Sequence, residues 1–230
     1  MAGKDAHALD PAAPAHGCAL PEAMFPEWER DFARAAPLEL EIGPGRGHFA
    51  LDHAAAHPEI DLVAVETRRA DCDLVRERAR RRGLRNLVVV QGDAKLLVPR
   101  LFRPGALAAL HVQFPDPWWK KRHRKRRMVD VDLAARMRAL LREGGEVDFR
   151  TDVQAYALAA VQTWEEAGFL NAAGAGRLWE APPEVLSTRE RRYARTGQPV
   201  FRARFVNPGP AAAAAPPGRT GREWTDARRK

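Results

Sequence analysis

Cysteine is nearly absent from these 230 residues: Cys18 and Cys72 are the two, far apart in the chain. That excludes a disulfide framework or a zinc cluster built on thiolates, and predicts a reducing, cytoplasmic setting. No stretch approaches the roughly 18 apolar residues of a membrane span. The opening residues, with Lys4, Asp5, His7 and Asp10, lack the apolar core of a secretory signal. No membrane is therefore expected as a partner, and no internal repeat is visible. What the chain has in excess is positive charge: 38 Lys and Arg against 30 Asp and Glu give a net charge of +8, with a pI near 10.2. Such a balance predicts a polyanionic partner, and nucleic acid is the usual one.

Residues 1–19, rich in Ala, Pro and His, predict a disordered arm. From residue 207 onward Pro208, Pro210, an alanine run, Pro216 and Pro217 predict another, ending in Arg228, Arg229 and Lys230. A basic tail of this kind is more often solvated than bound to RNA. Between the arms, residues 20–206 alternate short apolar runs with helix-length stretches. Leu38–Ile42, Asp61–Val65, Leu87–Gln91, Ala106–Phe114 and Glu146–Phe149 predict strands. Phe49–His57, Arg69–Arg82, Val131–Leu141 and Val153–Ala167 predict helices. In the third, Leu133, Met137, Leu140 and Leu141 share a face, as do Val153, Ala157, Ala160, Val161 and Trp164 in the fourth. The alternation predicts one α/β domain of Rossmann-like type: a mostly parallel sheet with helices on both faces. Val200–Val206 would add an antiparallel edge strand. Right-handed crossovers put the strand carboxyl ends on one edge, where such sheets bind ligands.

Five carboxylates stand at those ends: Glu41, Glu66, Asp93, Asp116 and Asp152. A single acid there is ordinary turn or cap chemistry, and Asp152, just before the helix at Val153, is either a cap or a rim residue. Five together repel one another unless a cationic or donor-rich ligand offsets them. The loop Gly43-Pro44-Gly45-Arg46-Gly47 allows a ligand close to the backbone, but His48 occupies the last glycine position of the dinucleotide fingerprint. An acidic rim also disfavours a pyrophosphate. S-adenosylmethionine fits better, having a sulfonium, an ammonium, ribose hydroxyls and an adenine amine. On that reading Glu66 takes the ribose, Asp93 the adenine end, and Glu41 the methionine end.

After the fourth strand comes Phe114-Pro115-Asp116-Pro117-Trp118-Trp119, then Lys120-Lys121-Arg122-His123-Arg124-Lys125-Arg126-Arg127. A cationic run is usually a solvated face. Placed inside the domain beside an acid–proline–aromatic turn, this one predicts phosphate contacts next to a reacting base. One tryptophan either stacks on an extruded base or caps the core.

This stretch resembles the signature of the tRNA guanine-N7 methyltransferase family, which forms 7-methylguanosine in tRNA. The likeness runs from Leu40-Glu41-Ile42-Gly43 through Glu66, Gly92-Asp93 and Phe114–Arg127 to Thr151-Asp152, and resumes over Ser187–Phe201. It implies that Glu41, Glu66, Asp93 and Asp116 bind or position S-adenosylmethionine together with the glycine loop (Gly43, Gly45, Gly47). It implies further that Asp116 is catalytic, that Lys120 and Asp152 contact substrate, and that Arg122, His123, Arg124, Lys125, Arg126 and Arg127 hold tRNA. The family's Thr-x-x-Glu substrate motif corresponds to Ser187-Thr188-Arg189-Glu190, with either Ser187 or Thr188 supplying the hydroxyl. Trp119 departs from the family pattern and is given no role. His53 and His57 share a helix face without a third ligand in sequence reach, which predicts surface histidines and no metal. The competing classes are a methyltransferase for another substrate, a nicotinamide or flavin oxidoreductase, and a non-catalytic RNA-binding module.

Overall fold

The computed structural model describes residues 25–117, 128–183 and 185–209. Along the chain run α1 (Trp28–Phe32), β1 (Leu38–Ile42), α2 (His48–Ala56), β2 (Asp61–Glu66), α3 (Arg69–Arg81) and β3 (Leu87–Gln91). Then come α4 (Ala94–Leu101), β4 (Leu107–Gln113), α5 (Val131–Leu140), β5 (Leu141–Thr151), α6 (Gln154–Glu166), β6 (Leu170–Asn171), α7 (Thr188–Thr196) and β7 (Phe201–Val206). Among the described residues seven strands form one sheet in the order β3-β2-β1-β4-β5-β7-β6. β1 to β5 are parallel, and β7 runs antiparallel between β5 and β6. The predicted Rossmann-like class is thus realised, with one more short strand at the antiparallel edge. No helix among the described residues is long and apolar enough to cross a membrane.

Each face of the sheet has its own apolar layer, because strand residues alternate sides. Leu62 and Ala64 of β2 join Val75 and Ala79 of α3 and Ala50, Leu51 and Ala54 of α2 on one side. Val63 and Val65 of β2, Leu40 and Ile42 of β1, and Leu110 and Val112 of β4 meet α4, α5 and α6 on the other. The first face changes character across the sheet. Beyond β2 its positions are Glu39 and Glu41 on β1, His111 and Gln113 on β4, Asp148 and Arg150 on β5, and Arg202 and Arg204 on β7. Charged rows in the centre of a parallel sheet are unusual, since its strands are commonly apolar on both faces.

α4 and α7 are helices that hydrophobic periodicity did not predict. α4 is eight residues with Pro99 inside it, and Asp93 caps it by accepting from the Lys95 amide. α7 reads TRERRYART and has almost no apolar stripe. Its start is fixed instead by a capping box: Ser187 Oγ accepts from the Glu190 amide, and the Glu190 carboxylate accepts from the Ser187 amide. At the other end of the domain, Asn207, at the start of the expected tail, is buried. Its side-chain amide donates to the carbonyls of Leu141 and Arg138, and Gly209 O accepts from Arg138, so this part of the expected tail packs on the domain. The remainder of both expected arms lies outside the described residues.

Candidate active site

The strand order reverses between β1 and β4, and a cleft of about 1250 Å³ opens at the carboxyl ends of β1, β2 and β4. Open parallel sheets bind ligands at such a switch point. Glu41, Glu66, Asp93 and Asp116 all line it, together with the glycine loop. Four of the five expected acids therefore converge.

The loop owes its shape to glycine. Gly43, Gly45 and Gly47 have φ of 71°, 54° and 73°, a region that costs a residue with a Cβ about 1–2 kcal/mol. At Gly47 there is also no room, since a Cβ would stand 2.5 Å from Val75 Cγ2. Gly47 caps α2, so its backbone sets both the helix entry and the contact with α3. Gly47→Ala is expected to cost about 2–4 kcal/mol, strain and overpacking together, read as a lower denaturant midpoint with an unchanged slope. A change below about 0.5 kcal/mol would mean that the loop tolerates another path.

Glu66, the last residue of β2, locks this loop to the next. Its Oε2 accepts from the Gly45 amide at 3.0 Å, and its Oε1 from the Arg68 amide and Thr67 Oγ1 at 2.9 and 3.0 Å. Glu41 is more extreme. It is 1% exposed, and its Oε2 has no hydrogen-bond partner. Burial, reinforced by the neighbouring carboxylates of Glu66 and Asp148 and only partly offset by His111 and Arg150, pushes its pKa up to about 8. A buried carboxyl with an open acceptor facing a cleft is costly in a free protein and suited to a cationic or donor ligand.

Asp116, also lining the cleft, is exposed. The turn before it is strained: Phe114 has φ 51°, rare for an aromatic residue. The turn is held by a hydrogen bond from the Phe114 amide to Arg150 O, by the Tyr193 ring, and by the Arg189 guanidinium 5.1 Å from the Phe114 ring centroid. Lys120, Arg122, His123, Arg124, Lys125, Arg126 and Arg127, with Trp118 and Trp119, lie outside the described residues. Their flanks, Asp116 and Met128, both line the cleft.

Three expectations are corrected. Asp152 neither caps α6 nor lines the cleft. Val153 occupies the cap position, its amide donates to Thr151 Oγ1, and Asp152 accepts from the Tyr193 hydroxyl at 2.7 Å. Glu190, expected beside the substrate, is 1% exposed. Its Oε2 accepts from Arg150 Nη1 at 2.8 Å and its Oε1 pairs with Arg202 Nη2 at 3.1 Å, so it is an anchor and Ser187 and Arg189 are what α7 brings to the cleft. Ser187 Oγ serves as the helix cap, and Thr188 opens the helix. Third, His53 is not a surface residue: it is enclosed by Glu39 and His111, groups that sequence distance hid.

These belong to a buried charged chain that sequence reasoning missed. His111 sits between Glu39 and Asp148, with Nε2 2.8 Å from Glu39 Oε2 and Nδ1 3.7 Å from Asp148 Oδ2. Burial opposes its charge, but the flanking carboxylates outweigh it and raise its pKa to about 9. Burial likewise opposes ionisation of Glu39 and Asp148, and their cationic partners hold both well below the usual carboxylate range. The signal was present in the alternation of β4 (LHVQ), β5 (VDFR) and β7 (FRAR), which reads as half-solvated strand when the covering helices are unknown.

The family described as "Putative methyltransferase" matches residues 35–203. A tRNA (guanine-N(7)-)-methyltransferase of Anaeromyxobacter dehalogenans is 54% identical over 185 residues, covering 80% of this chain and 92% of that one. The protein of the same name from Myxococcus xanthus is 46% identical over 184 residues, covering 80% and 89%. Among solved structures, the 16S rRNA methyltransferase KamB aligns with a TM-score of 0.59 at 18% identity, over 79% of this chain and 94% of that one. The aminoglycoside resistance methyltransferase NpmB1 aligns at 0.56 and 20%, over 78% and 91%. These structures share the fold.

Proposed function

Because this chain belongs to the tRNA (guanine-N(7)-)-methyltransferase family, we propose that it methylates N7 of a guanosine in tRNA, using S-adenosylmethionine. The finer assignment is guanosine 46 of the variable loop, and the setting is the cytoplasm. The observation that carries the cofactor is Glu41: a fully buried carboxyl with an open oxygen, on the strand that leads into the glycine turn. It would take the ammonium of the methionine end. Glu66 has acceptor capacity left for ribose hydroxyls after its three backbone and side-chain bonds, and Asp93 takes the adenine amine. The cofactor supplies an electrophilic methyl on a sulfonium.

Guanine N7 carries an in-plane lone pair and no proton, so the reaction requires no general base. The work left to the chain is to align the purine, exclude water and favour the positive charge that develops on it. Asp116, exposed at the cleft, accepts from guanine N1–H and its amino group. The basic segment Arg122–Arg127 holds phosphates along with Lys120, and Arg189, which lines the cleft, extends that surface from α7. Asp152 and Glu190 act at one remove, through Tyr193 and Arg150.

Incubation of the purified protein with labelled S-adenosylmethionine and unmodified tRNA, followed by nucleoside mapping, tests the whole reading. The label is expected in 7-methylguanosine of the variable loop. Label in another nucleoside would sink the substrate assignment and leave the fold. Asp116→Asn is expected to lower the single-turnover rate about 100-fold or more while leaving cofactor affinity intact. A near-normal rate would remove Asp116 from catalysis.

A further inference from the structure

One cluster of side chains takes no part in the proposed reaction. Glu39 of β1, His53 of α2 and His111 of β4 meet between the sheet and α2, with one ligand-type atom from each lying within 4.8 Å of the others. His53 Nε2 is 2.7 Å, and His111 Nε2 2.8 Å, from the same oxygen, Glu39 Oε2. The three side chains are 9–14% exposed. The Phe49 ring walls them in, its centroid 4.9 Å from that of His53 and 5.0 Å from that of His111.

We propose that Glu39, His53 and His111 form a binding site for a divalent transition-metal ion, zinc by preference. Two imidazole nitrogens and one carboxylate oxygen are a donor set that zinc takes readily, whereas calcium and magnesium require mostly oxygen. Tetrahedral zinc with bonds of about 2.0–2.2 Å separates its ligands by roughly 3.3 Å. Each imidazole nitrogen therefore opens from Glu39 Oε2 by about half an ångström, while the two nitrogens, within 4.8 Å of each other, settle to the same separation. The surroundings support the set. His111 Nδ1 makes no hydrogen bond and faces Asp148 Oδ2 at 3.7 Å, while Gln113 and Arg150 fix that carboxylate. A carboxylate behind an imidazole is the arrangement that orients metal-bound histidines. Three protein ligands leave a fourth position for water, reached past the partly exposed His53. An ion here ties α2 to the β1–β4 seam directly below Glu41, so its role is to hold the floor of the cleft.

The test uses the full chain without an affinity tag, stripped with chelator and titrated with zinc and, for its visible spectrum, cobalt(II). One ion per chain is expected, with a tetrahedral cobalt spectrum and a Tm rise of about 5–10 °C at a hundredfold excess of zinc over Kd. His53→Ala is expected to weaken binding about 100-fold or more, and Asp148→Asn about 10–100-fold. Glu77→Gln, outside the set and paired with Arg80 and Arg81 on the exposed side of α3, leaves binding unchanged. Should His53→Ala fail to fold, Glu39→Gln retains the side-chain shape and gives the same expected loss. Absence of binding at micromolar free zinc would overturn the site, as would stoichiometric binding indifferent to His53→Ala or Glu39→Gln. In either case the cluster is a hydrogen-bonded charge network alone. None of these readouts depends on methyl transfer, so they stand or fall apart from the proposed function.

Discussion

Glu41→Gln is expected to make the protein more stable at pH 8.5 while weakening its hold on the methyl donor. In the native state the Glu41 carboxyl titrates near pH 8, against 4.5 for the ordinary group, chiefly because it is buried. Between those values the native state keeps a proton that the unfolded state has lost. Stability therefore falls as pH rises from about 4.5, and levels off above about 8. The full difference corresponds to at most about 5 kcal/mol at 1.36 kcal/mol per unit. Glutamine removes this dependence, so variant and parent should match near pH 5 and diverge by a few kcal/mol at pH 8.5. Urea titrations at both values, in chelator-containing buffer, measure it. Cofactor affinity moves in the opposite sense. A cation beside Glu41 favours the ionised carboxylate, so the parent should bind more tightly as pH rises from 6 to 8, by up to about tenfold per unit, and the variant should show no such gain. Parallel pH profiles for the two proteins would refute both the raised carboxyl and its role in binding.

Glu190→Ala is expected to be the most damaging single change to the fold around the cleft. The carboxylate serves three donors at once: the Ser187 amide, Arg150 and Arg202. Its removal leaves the Arg150 side chain, 5% exposed, with a buried charge that has lost one of two carboxylate partners. Stranding such a cation costs about 3–5 kcal/mol. Because Asp148 remains, the lower end applies to the charge, and the lost capping box adds about 1 kcal/mol. Thermal melts should show Tm reduced by about 10 °C. Glu190→Gln keeps an acceptor and should fall between. With α7 loosened, Arg189 and Tyr193 lose their seat against Phe114, so activity should drop further than stability alone accounts for. A variant with parental Tm would show that Arg150 and Arg202 find other partners.

The scaffold was legible because its strands are short apolar runs separated by helix-length segments, and because Rossmann-like topology brings strand ends together. That predicted Glu41, Glu66, Asp93, Asp116 and Asp152 on one cleft, and the first four line it. The failures have separate physical causes. Asp152 was read as a cap from its position before a helix, but Val153 takes that position and the Tyr193 hydroxyl, 41 residues away, donates to the Asp152 carboxylate. Glu190 was read as a contact residue because resemblance marks where a residue matters and not what it touches. α7 escaped because a helix docked through salt bridges shows no apolar period. His111 and Asp148 escaped because period-2 alternation is the same whether the polar face meets water or a covering helix.

The divided underside of the sheet, greasy below β2 and β3 and ionic from β1 to β7, also shapes how this lineage can diverge. Glu39, His111, Asp148, Arg150, Glu190 and Arg202 each neutralise or orient the next, so no single apolar replacement is neutral: it strands a charge next door. Replacing the whole set with well-packed apolar side chains of similar volume carries no such penalty and can even raise stability. Drift should therefore treat these six positions as one inherited character, kept together or exchanged together. Relatives sharing the acids of the cleft should split into an ionic and an apolar lineage, with few intermediates between them.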